Sequence, residues 1–221
     1  MDKFPVRIIL RKYGRAVYIS HLDLLRTMQR ALARSGLPVW YSEGFNPRIY
    51  LNFPLPLSLG TAGEREPMDF YGTEDIPMSE FARRLSMACP EGIDVLSAAA
   101  PVHKNRDIAA GEYVISFSGD IPVLRSAFGD FTGQDRIEVI KRSKKKGETI
   151  LDIKPHIDVR NISCEGELEV CVVLPAGNDL NINVAVLAGA FIDFCRQRDI
   201  VAELLCAKRT NIYCENGEIF I

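Results

Sequence analysis

The order in which strand-like and helix-like stretches follow one another constrains this chain more than any other feature, because it occurs twice. Val6 to Arg11 is apolar and β-branched enough for a strand. Ser20-His21-Leu22-Asp23 reads as a capping box, with Ser20 as N-cap and the Asp23 carboxylate reaching back to the free amides of a helix that runs to Ser35 and stops at Gly36. Ile49 to Phe53 and Pro67 to Tyr71 read as paired strands, Ser79 to Ala88 as a second helix, and Ile93 to Ala98 as a fourth strand. Pro101 to Ala110 is polar, lacks either period and suits an exposed connector. Beyond it the order returns: strand Tyr113 to Ser118, helix Ile121 to Phe128, strands Arg136 to Lys141 and Thr149 to Ile153, an extra strand Ile157 to Ile162, strand Leu168 to Leu174, helix Val184 to Arg196 and strand Val201 to Ala207. A βαββαβ series closes as an antiparallel sheet with two helices on one face, since both crossovers are right-handed and both apolar helix faces need the same side of the sheet. The expected fold is α+β: two tandem ferredoxin-like (βαββαβ) units, residues 1–102 and 111–221, the second ending in a hairpin at Asn216-Gly217. The halves share a pattern and no visible residue-level similarity.

Charge and cysteine usage exclude several functions. A net charge of -2 argues against a general nucleic-acid coat, so any RNA contact is a local patch. Met1 to Leu10, broken by Asp2, Lys3, Pro5 and Arg7, is no signal peptide, and no apolar run approaches the roughly 20 residues of a membrane helix. A cytoplasmic protein without membrane contact is expected. The cysteines, at 89, 164, 171, 195, 206 and 214, form no CxxC pair and read as reduced thiols, and the histidines His21, His103 and His156 are scattered. Neither a zinc site nor an iron–sulfur cluster is expected, and hence no metal and no resident cofactor.

Three segments carry candidate chemistry. On the first helix Leu22, Leu24, Leu25, Met28, Ala31 and Leu32 fall on one broad face, while Arg26, Arg30 and Arg34 recur at i, i+4 and i+8 on another. With Arg48 these guanidiniums could grip phosphates, or form a solvated face. Tyr41-Ser42-Glu43-Gly44-Phe45-Asn46-Pro47-Arg48 crowds aromatic, acidic, amide and guanidinium groups onto one loop shaped by Gly44 and Pro47. Tyr41, Ser42, Glu43, Phe45 and Asn46 are its binding candidates; the plainer alternative is a turn with Phe45 plugged into the core. The basic run Lys141, Arg142, Lys144, Lys145 and Lys146, between two strands, suits either an RNA-gripping finger or a soluble hairpin tip. His21, at the start of the first helix, and Glu43 are the acid–base candidates, but no Cys or Ser nucleophile is identifiably placed to complete a catalytic set.

Taken together, Ser20-His21-Leu22-Asp23, Arg26, Arg30, Leu37-Pro38, Tyr41 to Pro47, Leu57 to Gly60 and Glu64 resemble the N-terminal signature of a bacterial family of radical-SAM-linked proteins of unknown function, the DUF2344 type. Asp152-Ile153-Lys154-Pro155 extends the resemblance along the chain. Arg48-Ile49 follows Pro47 where relatives often carry a second proline. The resemblance implies partnership with a radical-SAM protein bearing a cobalamin-binding-type domain. That partner would carry the iron–sulfur cluster and SAM. It implies no established activity. The doubled pattern also looks like RNA-processing endonucleases of CRISPR systems, a fold-level analogy that does not fix function. The reading that follows is an accessory or adaptor protein that binds RNA, or an RNA-linked substrate, for modification. The alternatives are an RNA-processing or RNA-modifying enzyme using His21 and a purely protein-binding partner.

Overall fold

The computed structural model describes residues 3–143, 147–177 and 180–221, without the side chains of 141–143 and 147. The chain divides into two compact units, Met1–Ile108 with Arg209–Ile221, and Ala109–Lys208. Residues 209–221, placed by pattern with 111–221, fall in the first unit.

In the first unit β1 (Phe4–Lys12) leads to α1 (His21–Arg34), the short β2 (Leu51–Asn52), β3 (Thr61–Gly72), α2 (Met78–Ala88) and β4 (Ile93–Ala99). The strand order is β4-β1-β3, with β2 also on β3, and β1–β3, β1–β4 and β2–β3 are antiparallel. Alternation decides which residues enter the core: Val6, Ile8 and Leu10 of β1 and Met68 and Phe70 of β3 pack with Leu24, Met28, Ala31 and Leu32 of α1 and Phe81 and Leu85 of α2. Each fully buried leucine or phenylalanine contributes about 1.5–3 kcal/mol, which is what holds the helices on this face.

In the second unit β5 (Ile108–Gly119) leads to α3 (Ile121–Thr132), β6 (Glu138–Ser143), β7 (Gly147–Asp152), β8 (Asp158–Ser163), β9 (Leu168–Pro175), α4 (Val184–Arg196) and β10 (Ala202–Cys214). The order here is β10-β5-β9-β8, while β6 and β7 form a separate two-stranded sheet. This corrects one expectation: Ile157 to Ile162, read as an extra strand, corresponds to β8 and pairs with β9 in the main sheet, and the hairpin on either side of the basic run is the insertion. Pairing, not burial, separates them. Val139 and Leu151 of the hairpin pack against the core of Phe117, Phe128, Phe131 and Phe191 as Val159 and Ile162 of β8 do, but among the described residues β6 and β7 pair only with each other, leaving Ile140 and Ile150 63% and 72% exposed.

The last strand, β10, serves both units, its residues to Lys208 in the second and from Arg209 in the first. The expected terminal hairpin forms, with Tyr213 bridging Ile219 and Gly217 at φ 81 in the turn. A left-handed residue there favours glycine, which has no Cβ to clash.

Candidate functional site

α1 begins as its sequence demands, with one difference. Ser20 Oγ accepts from Asp23 N at 3.2 Å, but the Asp23 carboxylate accepts a hydrogen bond from the Ser20 hydroxyl at 2.7 Å instead of reaching a free amide. The capping-box residue that reaches the amide is a glutamate or glutamine, one methylene longer. His21 sets its ring edge against Phe53, centroids 5.6 Å apart.

The same helix holds the following loop. Gln29 Nε2 donates to Ile49 O at 3.0 Å, and Tyr41 bridges Ile49. Ser42 closes the loop base, its N–H donating to Arg48 O at 2.8 Å and its Oγ accepting from Arg48 N at 3.1 Å. Residues 43–48 therefore project as a tip that is exposed throughout. Phe45 is fully exposed, which removes the alternative of a core plug. Tyr41 and Tyr50 flank it in sequence, each 47% exposed, and Glu43, Asn46 and Arg48 are exposed as well.

The arginines of α1 divide. Arg26 is exposed with Asp23 at 3.4 Å, and it lies beside Gln29, since residues three apart are neighbours on a helix. Arg30 is exposed. Arg34 is committed elsewhere, its Nη2 donating to Ala88 O at the end of α2 at 2.9 Å. Lys141 and Arg142 lie on β6 with side chains outside the described residues, as are Lys144, Lys145 and Lys146 altogether.

Beneath this display sits a cluster that pattern reading did not find. Lys12, Glu66 and Arg209 are 3%, 4% and 2% exposed. Arg209 Nε donates to Glu66 Oε1 at 3.0 Å, and Nη2 donates to Glu66 Oε2 and to Leu55 O. Lys12 Nζ reaches Val17 O at 3.4 Å. Burial pushes the Lys12 ammonium below its ordinary pKa of 10.5, Glu66 opposes that shift and Arg209 adds to it. Space for the carboxylate is made by Gly63, where a Cβ would fall 2.4 Å from Glu66 Cγ. Lys12, Glu66, Leu24, Phe53 and Leu57 line an enclosed void of about 10 Å³, close to the size of one water. Chemically the cluster is a brace. It pins the Leu55-to-Glu66 segment under the start of α1, while Gly60 N donates to Val17 O at 2.9 Å. The signal for Lys12 was present, because it continues the even-numbered face of Val6, Ile8 and Leu10.

Among the described residues no three His, Cys, Asp or Glu side chains converge to hold a metal, and no helix is long and apolar enough to cross a membrane.

No curated protein matches the chain. Among solved structures it is similar to a chain of a Cbf5-Nop10-Gar1 complex, at 13% identity and TM-score 0.49, with 95% of this chain and 49% of that chain covered. The chain thus spans about half the length of that relative. It is also similar to an unknown protein from Galdieria sulphuraria, at 11% identity and TM-score 0.29, covering 92% of this chain and 98% of that one. A family model matches residues 6–184, from the start of β1 to the start of α4, and by that match the chain belongs to DUF2344, the family described as an uncharacterized protein conserved in bacteria.

Proposed function

We propose that this chain is a cytoplasmic accessory protein that holds RNA, or an RNA-linked substrate, for a radical-SAM enzyme bearing a cobalamin-binding-type domain, the partner supplying the cluster and SAM. The observation that carries the reading is the wholly exposed Phe45 on a loop whose base is braced, with Tyr41, Tyr50 and Arg48 near it in sequence and Arg26 beside the Gln29 tether. Aromatic side chains among cations are what single-stranded nucleic acid stacks on. Such a patch is local, which accommodates the net charge of -2. We also read the two units as tandem ferredoxin-like domains, a reading supported in the first by the β4-β1-β3 order with both helices on one face.

The test is anisotropy of a labelled single-stranded RNA against salt. Binding should weaken as salt rises, and the doubly substituted Arg26→Ala/Arg30→Ala protein should lower the log–log slope by about 1 per lost phosphate contact. Phe45→Ala should weaken binding by about 5- to 100-fold, the loss of one base stack. Undetectable or salt-insensitive binding ends the proposal. Recovery of a radical-SAM protein with the tagged chain from its native cell tests the partnership separately.

A further inference from the structure

We infer that the face of the first unit's sheet turned away from the helices holds a pocket for one unstacked nucleobase of RNA; this rests on the RNA reading above and adds a second contact to it. Register places the residues. Pro5 pairs with Tyr71, Arg7 with Asp69, and Asn52 with Asp69. Their neighbours Val6, Phe70 and Leu51 point into the helix-covered core, so these side chains point the other way. On that side a cavity of about 250 Å³ is lined by Arg7, Tyr50, Asn52, Tyr71, His103 and Lys104.

Its walls suit a flat heteroaromatic ring. Tyr50 and Tyr71, which line the cavity, stand with centroids 5.4 Å apart and planes at 40°, and Trp40, outside the lining, meets both rings at 6.5 and 6.1 Å. Lys3 Nζ lies 3.5 Å above the Trp40 ring, which adds positive charge beside the rings. The volume falls below the about 300–1,000 Å³ of pockets that take larger ligands, and so fits a base more than a whole nucleotide. The floor is rigid: Arg7 Nε and Nη2 donate to the two Asp69 oxygens, each at 2.7 Å, and its guanidinium carbon is 4.2 Å from the Phe220 ring centroid. Among the described residues Arg7 Nη1 is the only buried side-chain nitrogen or oxygen without a hydrogen-bond partner. A base carbonyl is a fitting acceptor for it. Asn52 offers a donor and an acceptor to a base edge, and the exposed Lys104 can meet the attached phosphate. A sheet face with aromatics at its centre is a recurrent way to stack splayed RNA bases.

Trp40 is the single tryptophan, so its fluorescence reports on this face. Titration of the full chain with uridine or adenosine monophosphate should give saturable quenching, and ribose 5-phosphate, which lacks the base, should give none. Tyr50→Ala and Asn52→Ala should each raise the half-saturation concentration, the tyrosine change by about 5- to 100-fold, with circular dichroism unchanged. Quenching that is absent, non-saturating, equal for ribose 5-phosphate or unaffected by both substitutions overturns the inference. RNA that still binds in a salt-dependent and Arg26/Arg30-dependent way would then leave the broader reading standing. Saturable base-dependent quenching without binding of longer RNA would support the pocket and remove the broader reading.

Discussion

The buried cation–carboxylate–cation cluster is the least expected arrangement at residue scale, and its energetics are asymmetric. Glu66 neutralises part of two cations that are 3% and 2% exposed, so Glu66→Gln removes the carboxylate that Arg209 grips and that favours the charged form of Lys12. Breaking a buried pair from one side costs about 3–5 kcal/mol, and urea denaturation of the variant should show a loss of that order. A loss under about 1 kcal/mol would mean that water already reaches the cluster. Lys12→Met takes away a cation whose ionised form burial disfavours. Because the folded-state pKa of Lys12 lies below its ordinary 10.5, the unfolded chain binds more protons between those two values. Wild-type stability relative to Lys12→Met should therefore rise as pH climbs toward 10.5 and be flat below the lowered value. Lys12 was legible in principle, since it continues an apolar strand face; Arg209 was not, because nothing local in Lys208-Arg209-Thr210 tells an arginine that meets a carboxylate 143 positions away from one that meets solvent.

At the scale of elements, α1 and its loop were readable because their physics is local. The N-cap, the apolar stripe and the Gly36 stop each act within a few residues, and the helix spans His21–Arg34 as those signals require. Ser20→Ala removes the acceptor for Asp23 N and should cost about 0.5–2 kcal/mol by thermal or urea denaturation, with Ser20→Asp restoring most of it. The roles of β6, β7 and β8 were not readable, because each is a six-residue stretch with only two aliphatic residues and no clean alternation, so that only sheet registry separates an insertion from a member of the main sheet. That hairpin is closed at its base by Asp152, whose Oδ1 accepts from Ile137 N and Lys154 N, each at 3.0 Å. These amide contacts hold its carboxyl below the ordinary 3.8. Its contribution is complete above that ordinary value and disappears as pH falls through the lowered one. Amide exchange in Glu138–Ser143 and Gly147–Asp152 should accordingly quicken as the pH is taken below 3.8, and in Asp152→Asn should be fast and nearly independent of pH there, after correction for intrinsic exchange. Equal acceleration in wild type and variant would assign no such role to the carboxylate.

For the whole molecule the decisive fact is that the chain leaves its first unit at Ile108 and returns to it at Arg209. The returning segment carries structural weight: Arg209 pairs with Glu66, Ile212 and Phe220 are 2% and 3% exposed, and Ile221 O accepts from Val102 N and His103 N at 3.1 and 3.0 Å. A pattern of alternating strands and helices cannot reveal such a return, since it encodes which residues are apolar and not which distant partner they cover. The second unit's core, built from Phe117, Phe128, Phe131 and Phe191, includes no residue of that segment. Deleting residues 209–221 should therefore strip amide-exchange protection from β1 and β3, where Glu66 would be left buried with Lys12 alone, while β9 and α4 keep theirs. Two-unit independence predicts this selective loss; uniform loss across both units would mean that the second unit's core also requires the tail, and retained protection in β1 would mean that the brace is dispensable. The same dependence bears on folding. A contact that joins positions 66 and 209 requires a long loop to close before it contributes, so the first unit, although synthesised first, should reach full protection only after the end of the chain has been added.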